Sequence, residues 1–366
     1  MSEQLLETPV LDLAADPVEL LATLIDIESV SGTEQRIADA VERALRGYDH
    51  LEVIRDGNVV VARTNRGRAD RVVIAGHLDT VPIAANVPHW RQGEGAELEI
   101  WGRGACDMKA GVAVQLVCAA ALTEPQRDLS WIFYDNEEVE AELNGLGRIG
   151  RERPELLAGD FAVLCEPTSA QIEGGCQGTM RVVCELEGRA AHSARAWMGH
   201  NAIHDAGVLL QLLADHVPAQ VEVDGLTYRE GLNAVSISGG IAGNVIPDRC
   251  RVEINYRFAP DKSAADAEAY VRGVLPGFEL TVTDVAIGAR PGLDQPAAAE
   301  FLAAVGAEAS AKFGWTDVAR FAEMGIPAVN FGPGNPSKAH ADDEFCPASE
   351  VYQCRDALLA WLGSAG

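Results

Sequence analysis

Basic residues are scarce in this 366-residue sequence, which has 29 lysines and arginines against 55 aspartates and glutamates. The resulting net charge of −26 argues against nucleic acid as a partner, because nucleic-acid binding requires a basic face that neutralises phosphates. The same charge disfavours binding to an anionic membrane. We therefore expect no nucleic-acid and no membrane partner, and a solvated acidic surface that aids solubility.

Long apolar runs and a secretion signal are also lacking. No apolar stretch approaches the roughly 20 residues needed to cross a bilayer, and the chain opens without a basic start or an apolar run on MSEQLLETPVLDLAADP. None of the eight cysteines forms a CxxC pair, and several lie in apolar runs such as AVLC and RVVCEL. These features predict buried, reduced thiols in a cytoplasmic protein, with neither disulfides nor a cysteine zinc site.

The length exceeds what one hydrophobic core usually supports, so two domains are expected. Four runs have the length and apolar content of strands: LEVIRDGNVVVAR, RVVIAGH, LSWIFYDNE and FAVLCEP. Periodic apolar positions predict helices over about 16–29, 35–45 and 110–122. Short apolar strands alternating with helices indicate an α/β sheet that is covered on both faces.

The pattern changes between residues 178 and 289, where the predicted order βαββαβ is that of a ferredoxin-like unit. Its segment RCRVEINYRF alternates apolar and polar residues, which indicates an antiparallel sheet with one open polar face. The first pattern then returns with a predicted helix near 297–312. We therefore predict a larger domain of residues 1–177 and 290–366, with residues 178–289 inserted, and glycines near both joints that suit a hinge.

Histidines and acidic residues recur where the apolar runs end or a helix begins: His77, Asp79, Asp107, Glu137, Glu138, Glu166 and His340. Each alone has a structural explanation, such as an N-cap for an aspartate that precedes a helix. Together they predict one site, because ligands bind beyond the carboxyl ends of strands in open α/β sheets. Clustered carboxylates repel unless cations hold them together, and mixed histidine and carboxylate ligands suit zinc.

Four motifs make a family resemblance specific. GHLDTVP, GRGACDMKAG, DNEEV and AHADDE occur in this order along the chain. The sequence resembles the di-zinc exopeptidase and deacylase family, which includes acetylornithine deacetylase, succinyl-diaminopimelate desuccinylase, glutamate carboxypeptidase and aminoacylase. The resemblance covers nearly the whole chain. It implies a zinc-exopeptidase-like catalytic domain with a mixed sheet flanked by helices, and an inserted ferredoxin-like α+β domain that serves as lid and dimerisation domain.

The resemblance also implies a ligand set for two zinc ions, which cobalt can replace. One zinc would be held by His77 and Glu166, the other by Glu138 and His340, and Asp107 would bridge the two. Glutamate as the fourth ligand resembles the deacylases and carboxypeptidases of the family, whereas aspartate is usual in its aminopeptidases.

Two further carboxylates have implied roles beside these ligands. Asp79 would orient the imidazole of His77. Glu137 would be the general base that takes a proton from the nucleophilic water and passes it to the leaving amine. A non-catalytic binding homologue would need no such base, so Glu137 argues against that alternative.

Residues of the inserted domain match the family's lid. His192, in GRAAHSARAW, matches a histidine that reaches the active site of the partner subunit in a homodimer and stabilises the tetrahedral oxyanion. Asn244 and Arg257 match lid residues that contact substrate carboxylates. Arg257 also has a structural interpretation, as one of several arginines that balance acidic neighbours.

The substrate is a small molecule that carries carboxylates, and the resemblance favours N-succinyl-LL-2,6-diaminopimelate. Thr316, in GWTDVARF, matches a carboxylate-binding segment of desuccinylases. Where some desuccinylases have Gly-Arg-Arg-Gly, this chain has GCQGTM, which leaves Arg195 or Arg181 as replacement cations. HSARAWMGHNAIH and GPGNPSKAHADDE resemble actinobacterial desuccinylases most. Acetylornithine deacetylase and glutamate-type carboxypeptidase activities stay open as alternatives.

Overall fold

A computed structural model describes residues 9–306 and 308–363. The strands are, in chain order, β1 (Glu52–Asp56), β2 (Val59–Arg63), β3 (Arg71–His77), β4 (Trp90–Gln92), β5 (Glu99–Trp101), β6 (Asp128–Tyr134), β7 (Phe161–Leu164), β8 (Ile172–Gly174), β9 (Gly178–Glu187), β10 (Ala191–His192), β11 (Gln220–Val223), β12 (Leu226–Arg229), β13 (Gly231–Gly239), β14 (Val245–Ile246), β15 (Arg249–Phe258), β16 (Leu280–Ala286), β17 (Ala309–Ala311), β18 (Ala328–Asn330) and β19 (Phe345–Pro347). The α-helices are α1 (Pro17–Ile25), α2 (Gln35–Leu45), α3 (Lys109–Ala121), α4 (Gly145–Glu152), α5 (Ala202–Asp215), α6 (Ala264–Val274), α7 (Pro296–Val305), α8 (Val318–Glu323) and α9 (Ala348–Leu362).

The chain divides into two compact units. Unit 1 comprises the described residues of 1–174, 292–310 and 320–366, and unit 2 comprises residues 175–291 and 311–319. Among the described helices, none is both long and apolar enough to cross a membrane.

Unit 1 is built on a mixed sheet with the strand order β1-β2-β6-β3-β7-β18-β8-β17. Its central strands β6, β3, β7 and β18 are parallel neighbours, whereas β2 pairs antiparallel with β6 and β8 antiparallel with β18. Every residue of β6 is buried, as expected for a strand covered on both faces. Helices flank this sheet: α3 contacts both α1 and α9, and α9 also contacts α7. The predicted mixed α/β fold is confirmed.

Unit 2 contains a four-stranded antiparallel sheet in the order β13-β15-β9-β16. With α5 after β9 and α6 after β15, this is the βαββαβ arrangement predicted from the sequence, with the β11–β12 hairpin added before β13. The alternation in β15 has the predicted effect, because its apolar residues are buried and its polar ones are not. One face of the sheet therefore packs on a core that includes residues of α5 and α6.

Three segments differ from the sequence-based expectation. Helix α1 ends at Ile25 rather than near residue 29, because the following segment pairs with the loop after β3 through a Val30–Thr80 bridge. The helix predicted near 297–312 ends at Val305, where Gly306 takes a left-handed conformation with φ 68°. Residues Ala309–Ala311 form strand β17 instead.

The third difference concerns residues 311–319, which the predicted boundaries assign to the larger domain but which cluster with unit 2. The Gln177 N–H donates to the Lys312 carbonyl at 3.2 Å. The Trp315 indole N–H donates to the Ile287 carbonyl at 3.1 Å. These contacts bring a segment that is distant in sequence back to unit 2.

Candidate active site

Four adjacent parallel strands of unit 1 deliver acidic residues and histidines to one edge of the sheet. His77 is the last residue of β3, Glu137 and Glu138 follow β6, and Glu166 follows β7. His340 lies in the loop after β18. Because these strands are parallel neighbours, their carboxyl ends lie side by side, which is where ligands bind in open α/β sheets.

Two groups of side chains meet at this edge and share one residue. The first group is His77, Asp107 and Glu166, and the second is Asp107, Glu138 and His340. Within each group one ligand atom per residue lies within 4.8 Å of the others. His77 Nε2 is 3.1 Å from Asp107 Oδ1, and His340 Nε2 is 3.5 Å from Asp107 Oδ2 and 2.9 Å from Glu138 Oε2. The two carboxylate oxygens of Asp107 thus face different histidines, which is the arrangement of a bridging ligand.

The donor chemistry of these groups fits divalent cations. Three carboxylates and two imidazoles are typical ligands of zinc, and carboxylates this close together repel one another unless positive charge lies between them. The ring of His77 is oriented for ligation, because its Nδ1 lies 3.0 Å from the backbone carbonyl of Asp79. A carbonyl only accepts, so Nδ1 carries the proton and Nε2 keeps the lone pair for a metal.

Electrostatics in the site favour positive charge among the carboxylates. Hydrogen bonds with Asp107 and Glu138 raise the pKa of His340 to about 10. Burial opposes the protonation of His77, but hydrogen bonds with Asp107 and Asp79 outweigh it and raise its pKa. Burial also acts to raise the pKa of Asp107, yet its hydrogen bonds with His340 and His77 lower it. The same carboxylates that attract protons here would attract a divalent cation.

Asp79 is fully buried and fixes the loop that carries the two adjacent glutamates. Its Oδ1 accepts the backbone N–H of Glu137 at 3.0 Å, and its Oδ2 accepts that of Glu138 at 3.0 Å. The Ser31 hydroxyl donates to Oδ2 at 2.7 Å. Burial acts to raise the pKa of Asp79, but its interaction with His77 and the hydrogen bonds from the Glu137 and Glu138 N–H groups lower it. Asp79 therefore orients both His77 and the Glu137–Glu138 turn.

The backbone before Glu137 is held by a second buried carboxylate. Asn136 has a left-handed φ of 57°, and its N–H donates to Glu34 Oε1 at 3.2 Å. The same oxygen accepts the Gly32 N–H at 2.8 Å. A left-handed residue persists where its surroundings hold it, and here the N-terminal segment does so.

In unit 2 the structure brings His192 and Asn244 together. His192 in β10 pairs with Val245 in β14, and the Ser193 N–H donates to the Asn244 carbonyl at 2.9 Å. The exposed His192 ring accepts the Ala194 N–H at Nδ1 at 3.1 Å. With Nδ1 accepting, a neutral ring carries its proton on Nε2, which is then a hydrogen-bond donor.

The other three predicted substrate residues occupy different parts of unit 2. Arg257 is half-buried on the open face of β15, opposite Thr179 in β9, and burial together with Arg181 lowers its pKa. Arg195 is exposed in the short helix Ser193–Met198. Thr316 is buried in the 311–319 segment.

A sequence profile described as peptidase family M20/M25/M40 matches residues 73–363. The chain belongs to this family. It is 53% identical over 356 residues to a putative succinyl-diaminopimelate desuccinylase DapE of Mycobacterium tuberculosis, covering 96% of this chain and 99% of the relative. It is 49% identical over 365 residues to a succinyl-diaminopimelate desuccinylase of Corynebacterium glutamicum, covering 97% and 98%.

A solved structure shows the same fold at low identity. The crystal structure of a tripeptidase from Staphylococcus aureus superposes with a TM-score of 0.77 at 21% identity, covering 97% of this chain and 98% of that one. This similarity supports the M20-type fold.

Several residues that hold the M20-type site together could not be identified from the sequence alone. Ser31 donates to Asp79, Glu34 accepts from Asn136, and Arg103 donates to Glu344 beside the Asp107 loop. Of these residues, Arg103 lies in the motif GRGACDMKAG and Glu344 in the motif AHADDE. Ser31 and Glu34 also precede the region that the family profile matches. The hydrogen-bond partners of these residues lie in segments that are distant in sequence, so no local sequence pattern indicates their role. For Glu344, the short distance in sequence from His340 was the one feature that could have indicated a role in the site.

Proposed function

We propose that the protein is a succinyl-diaminopimelate desuccinylase of the M20 family. It hydrolyses the amide of N-succinyl-LL-2,6-diaminopimelate to succinate and LL-2,6-diaminopimelate, a step towards lysine and diaminopimelate. The observation that carries the chemistry is the pair of ligand groups that share Asp107, next to Glu137. The observation that favours this substrate is the high identity to relatives of that name over nearly the full chain.

The proposed cofactor is a pair of zinc ions, with cobalt able to substitute. His77 and Glu166 would hold one ion, Glu138 and His340 the other, and Asp107 would bridge them. When bound, such ions lower the pKa of a water molecule and polarise the amide carbonyl.

Glu137 is the proposed general base. Its N–H is fixed by Asp79, and its carboxylate belongs to a third group with His77 and Glu138 whose ligand atoms lie within 4.8 Å of one another. From there it takes a proton from the attacking water and delivers it to the leaving amine. Asp79 keeps the turn in place while that proton moves.

The proposed role of unit 2 is that of a lid which also forms a homodimer. The Nε2–H of the exposed His192 ring would donate to the tetrahedral oxyanion in the partner's site. Strand β13 lies at the edge of its sheet, and Val235 and Ile237 on it are 58% and 50% exposed. An exposed edge strand with apolar side chains is a surface on which a second chain can pair.

The lid residues would also hold the substrate. Asn244, Arg257, Arg195 and Thr316 would bind its carboxylates, and arginines are needed because a chain of net charge −26 must create a locally positive pocket for an anion. The proposed location is the cytoplasm, where the eight buried free cysteines would stay reduced.

A panel of amides tests the substrate. The zinc-loaded protein should hydrolyse N-succinyl-LL-2,6-diaminopimelate with a kcat/KM at least roughly 100-fold above N-acetylornithine and glutamyl amides, because an acetyl group lacks the carboxylate of the succinyl group and a glutamyl group adds an ammonium group beside its carboxylate. Preference for N-acetylornithine or for a glutamyl amide would replace the proposal with one of those activities. No turnover of any amide by zinc-loaded protein would indicate a binding protein instead.

A further inference from the structure

A buried carboxylate outside the ligand set accepts four hydrogen bonds from the loop that carries Asp107. The side chain of Glu344 is 1% exposed. Its Oε1 accepts the N–H groups of Cys106 at 2.9 Å and Asp107 at 3.1 Å. Its Oε2 accepts the Gly104 N–H at 3.0 Å and the Arg103 guanidinium at 3.0 Å. Both oxygens are therefore fully used by donors of residues 103–107.

Arg103 extends this arrangement to two further loops. Its guanidinium is 3% exposed and also donates to the carbonyls of Pro82 at 3.1 Å and Ala341 at 3.0 Å. Pro82 lies in the loop that carries Asp79, and Ala341 directly follows His340. The Arg103–Glu344 pair thus joins the loops of three predicted site residues.

The geometry at His340 shows why such a connection matters. His340 has a left-handed φ of 65°, which a residue with a side chain adopts only where its surroundings hold it. Its Nε2 faces Asp107 Oδ2 and Glu138 Oε2, so a small shift of either loop separates the ligand atoms. The backbone carbonyl of Glu344 adds a further tie by accepting the Gly102 N–H at 3.1 Å.

We infer that Glu344 is a positioning residue that holds the Asp107 and His340 loops in register and thereby sets the affinity of the bridged metal site. The inference rests on the proposed metal-binding function. A carboxylate suits the role because it only accepts, and each of its oxygens can accept two hydrogen bonds. Partners of this kind, which hold metal ligands in place from behind, change metal affinity about 10–100-fold when they are replaced.

A purely structural role for Glu344, as the counter-charge of the buried Arg103, makes different predictions. Glu344→Gln keeps the size of the side chain but replaces one oxygen with an amide donor, which must face either the Cys106 and Asp107 N–H groups or Gly104 and Arg103. Glu344→Asp keeps the charge beside Arg103 but is too short to reach all four donors. A positioning role is disturbed by both changes, whereas a counter-charge role tolerates the aspartate.

The test is a zinc titration in competition with a chelator, combined with thermal unfolding of metal-free and zinc-loaded protein. Glu344→Gln and Glu344→Asp should both bind the weaker of the two zinc ions about 10–100-fold less tightly than the wild type, and should gain less Tm from zinc. Asp342→Asn is the matched control: it removes a carboxylate 3.9 Å from the Arg103 guanidinium, but this side chain is 86% exposed and accepts none of the four hydrogen bonds of Glu344. Its zinc affinity should be unchanged.

Wild-type zinc affinities in both variants, with only the metal-free Tm lowered, would overturn the inference and leave a structural role. If Glu344→Gln fails to fold, Glu344→Asp decides, because normal zinc affinity in that variant alone contradicts positioning. The wild-type titration separates this inference from the proposed function: a wild type that binds no zinc refutes both. Two bound zinc ions without desuccinylase activity refute only the substrate.

Discussion

Replacing Asp79 with asparagine is the sharpest perturbation of the site, since it changes one buried group and no predicted metal ligand. Asp79 accepts the N–H groups of Glu137 and Glu138 and the hydroxyl of Ser31. An asparagine amide nitrogen must take the place of one oxygen. If the nitrogen takes the place of Oδ2, the Ser31 hydroxyl can rotate and accept a hydrogen bond from it, so this orientation costs less than the one with the nitrogen in place of Oδ1. It still leaves the Glu138 N–H facing a donor.

The magnitude follows from that count of hydrogen bonds. One buried N–H without an acceptor costs about 1–3 kcal/mol, so the free energy of unfolding of Asp79→Asn should fall by that amount. The change also displaces the turn that carries Glu138 and removes the negative charge beside His77. Because replaced partners of metal ligands typically cost about 10–100-fold in affinity or activity, zinc affinity should fall within that range.

Urea unfolding of metal-free protein and a competitive zinc titration measure the two effects separately. Asp342→Asn, an exposed aspartate changed in the same way, should stay within about 0.5 kcal/mol of the wild type. The reasoning is wrong if Asp79→Asn matches this control in both assays. A loss of stability with normal zinc affinity would mean that Asp79 supports the fold but does not orient the ligands.

Three further predictions test the remaining roles. Glu137→Gln keeps the shape of the side chain but cannot take up a proton, so kcat should fall by about 10²–10⁴-fold with both zinc ions retained, and near-normal turnover would exclude Glu137 as the base. In metal-free protein the free energy of unfolding should decrease as pH rises from about 6.5 towards 10, because the pKa of His340 in the folded protein, about 10, lies above its ordinary value of 6.5. His340→Ala should flatten this pH profile. An unaltered slope would contradict the raised pKa of His340. His192→Ala should lose about 10²–10³-fold in kcat. Mixing this variant with Glu137→Gln chains should restore partial activity, because the site with intact Glu137 then receives an intact His192 from the other chain. No recovery after confirmed subunit exchange would mean that His192 does not act across the dimer.

The sequence predicted the parts of the fold that depend on local periodicity. The apolar run of β6 and the alternation of β15 determine how many faces of each strand are buried, and both predictions agree with the structure. The prediction of a helix near 297–312 was wrong about its C-terminal end, also for a local reason. Its alanine-rich sequence favours a helix, but Gly306 takes a left-handed conformation that ends α7.

The site was predictable to the extent that its residues end strands. His77, Glu138 and Glu166 each follow an apolar run, and parallel strands bring such positions together. Glu34 and Glu344 are different, because they accept hydrogen bonds from backbone N–H groups that become neighbours only after folding. Any nearby side chain with an acceptor atom could have filled this role, so the pattern of the sequence does not reveal which one does.

The most direct test of the central claim is to locate bound metal by anomalous diffraction at the zinc edge from crystals grown with zinc. We predict two peaks about 3.5–4 Å apart, with the carboxylate of Asp107 between them, one beside His77 and Glu166 and the other beside Glu138 and His340. A single peak, or peaks that do not include Asp107 among their ligands, would contradict the proposal that this protein is a two-metal amide hydrolase.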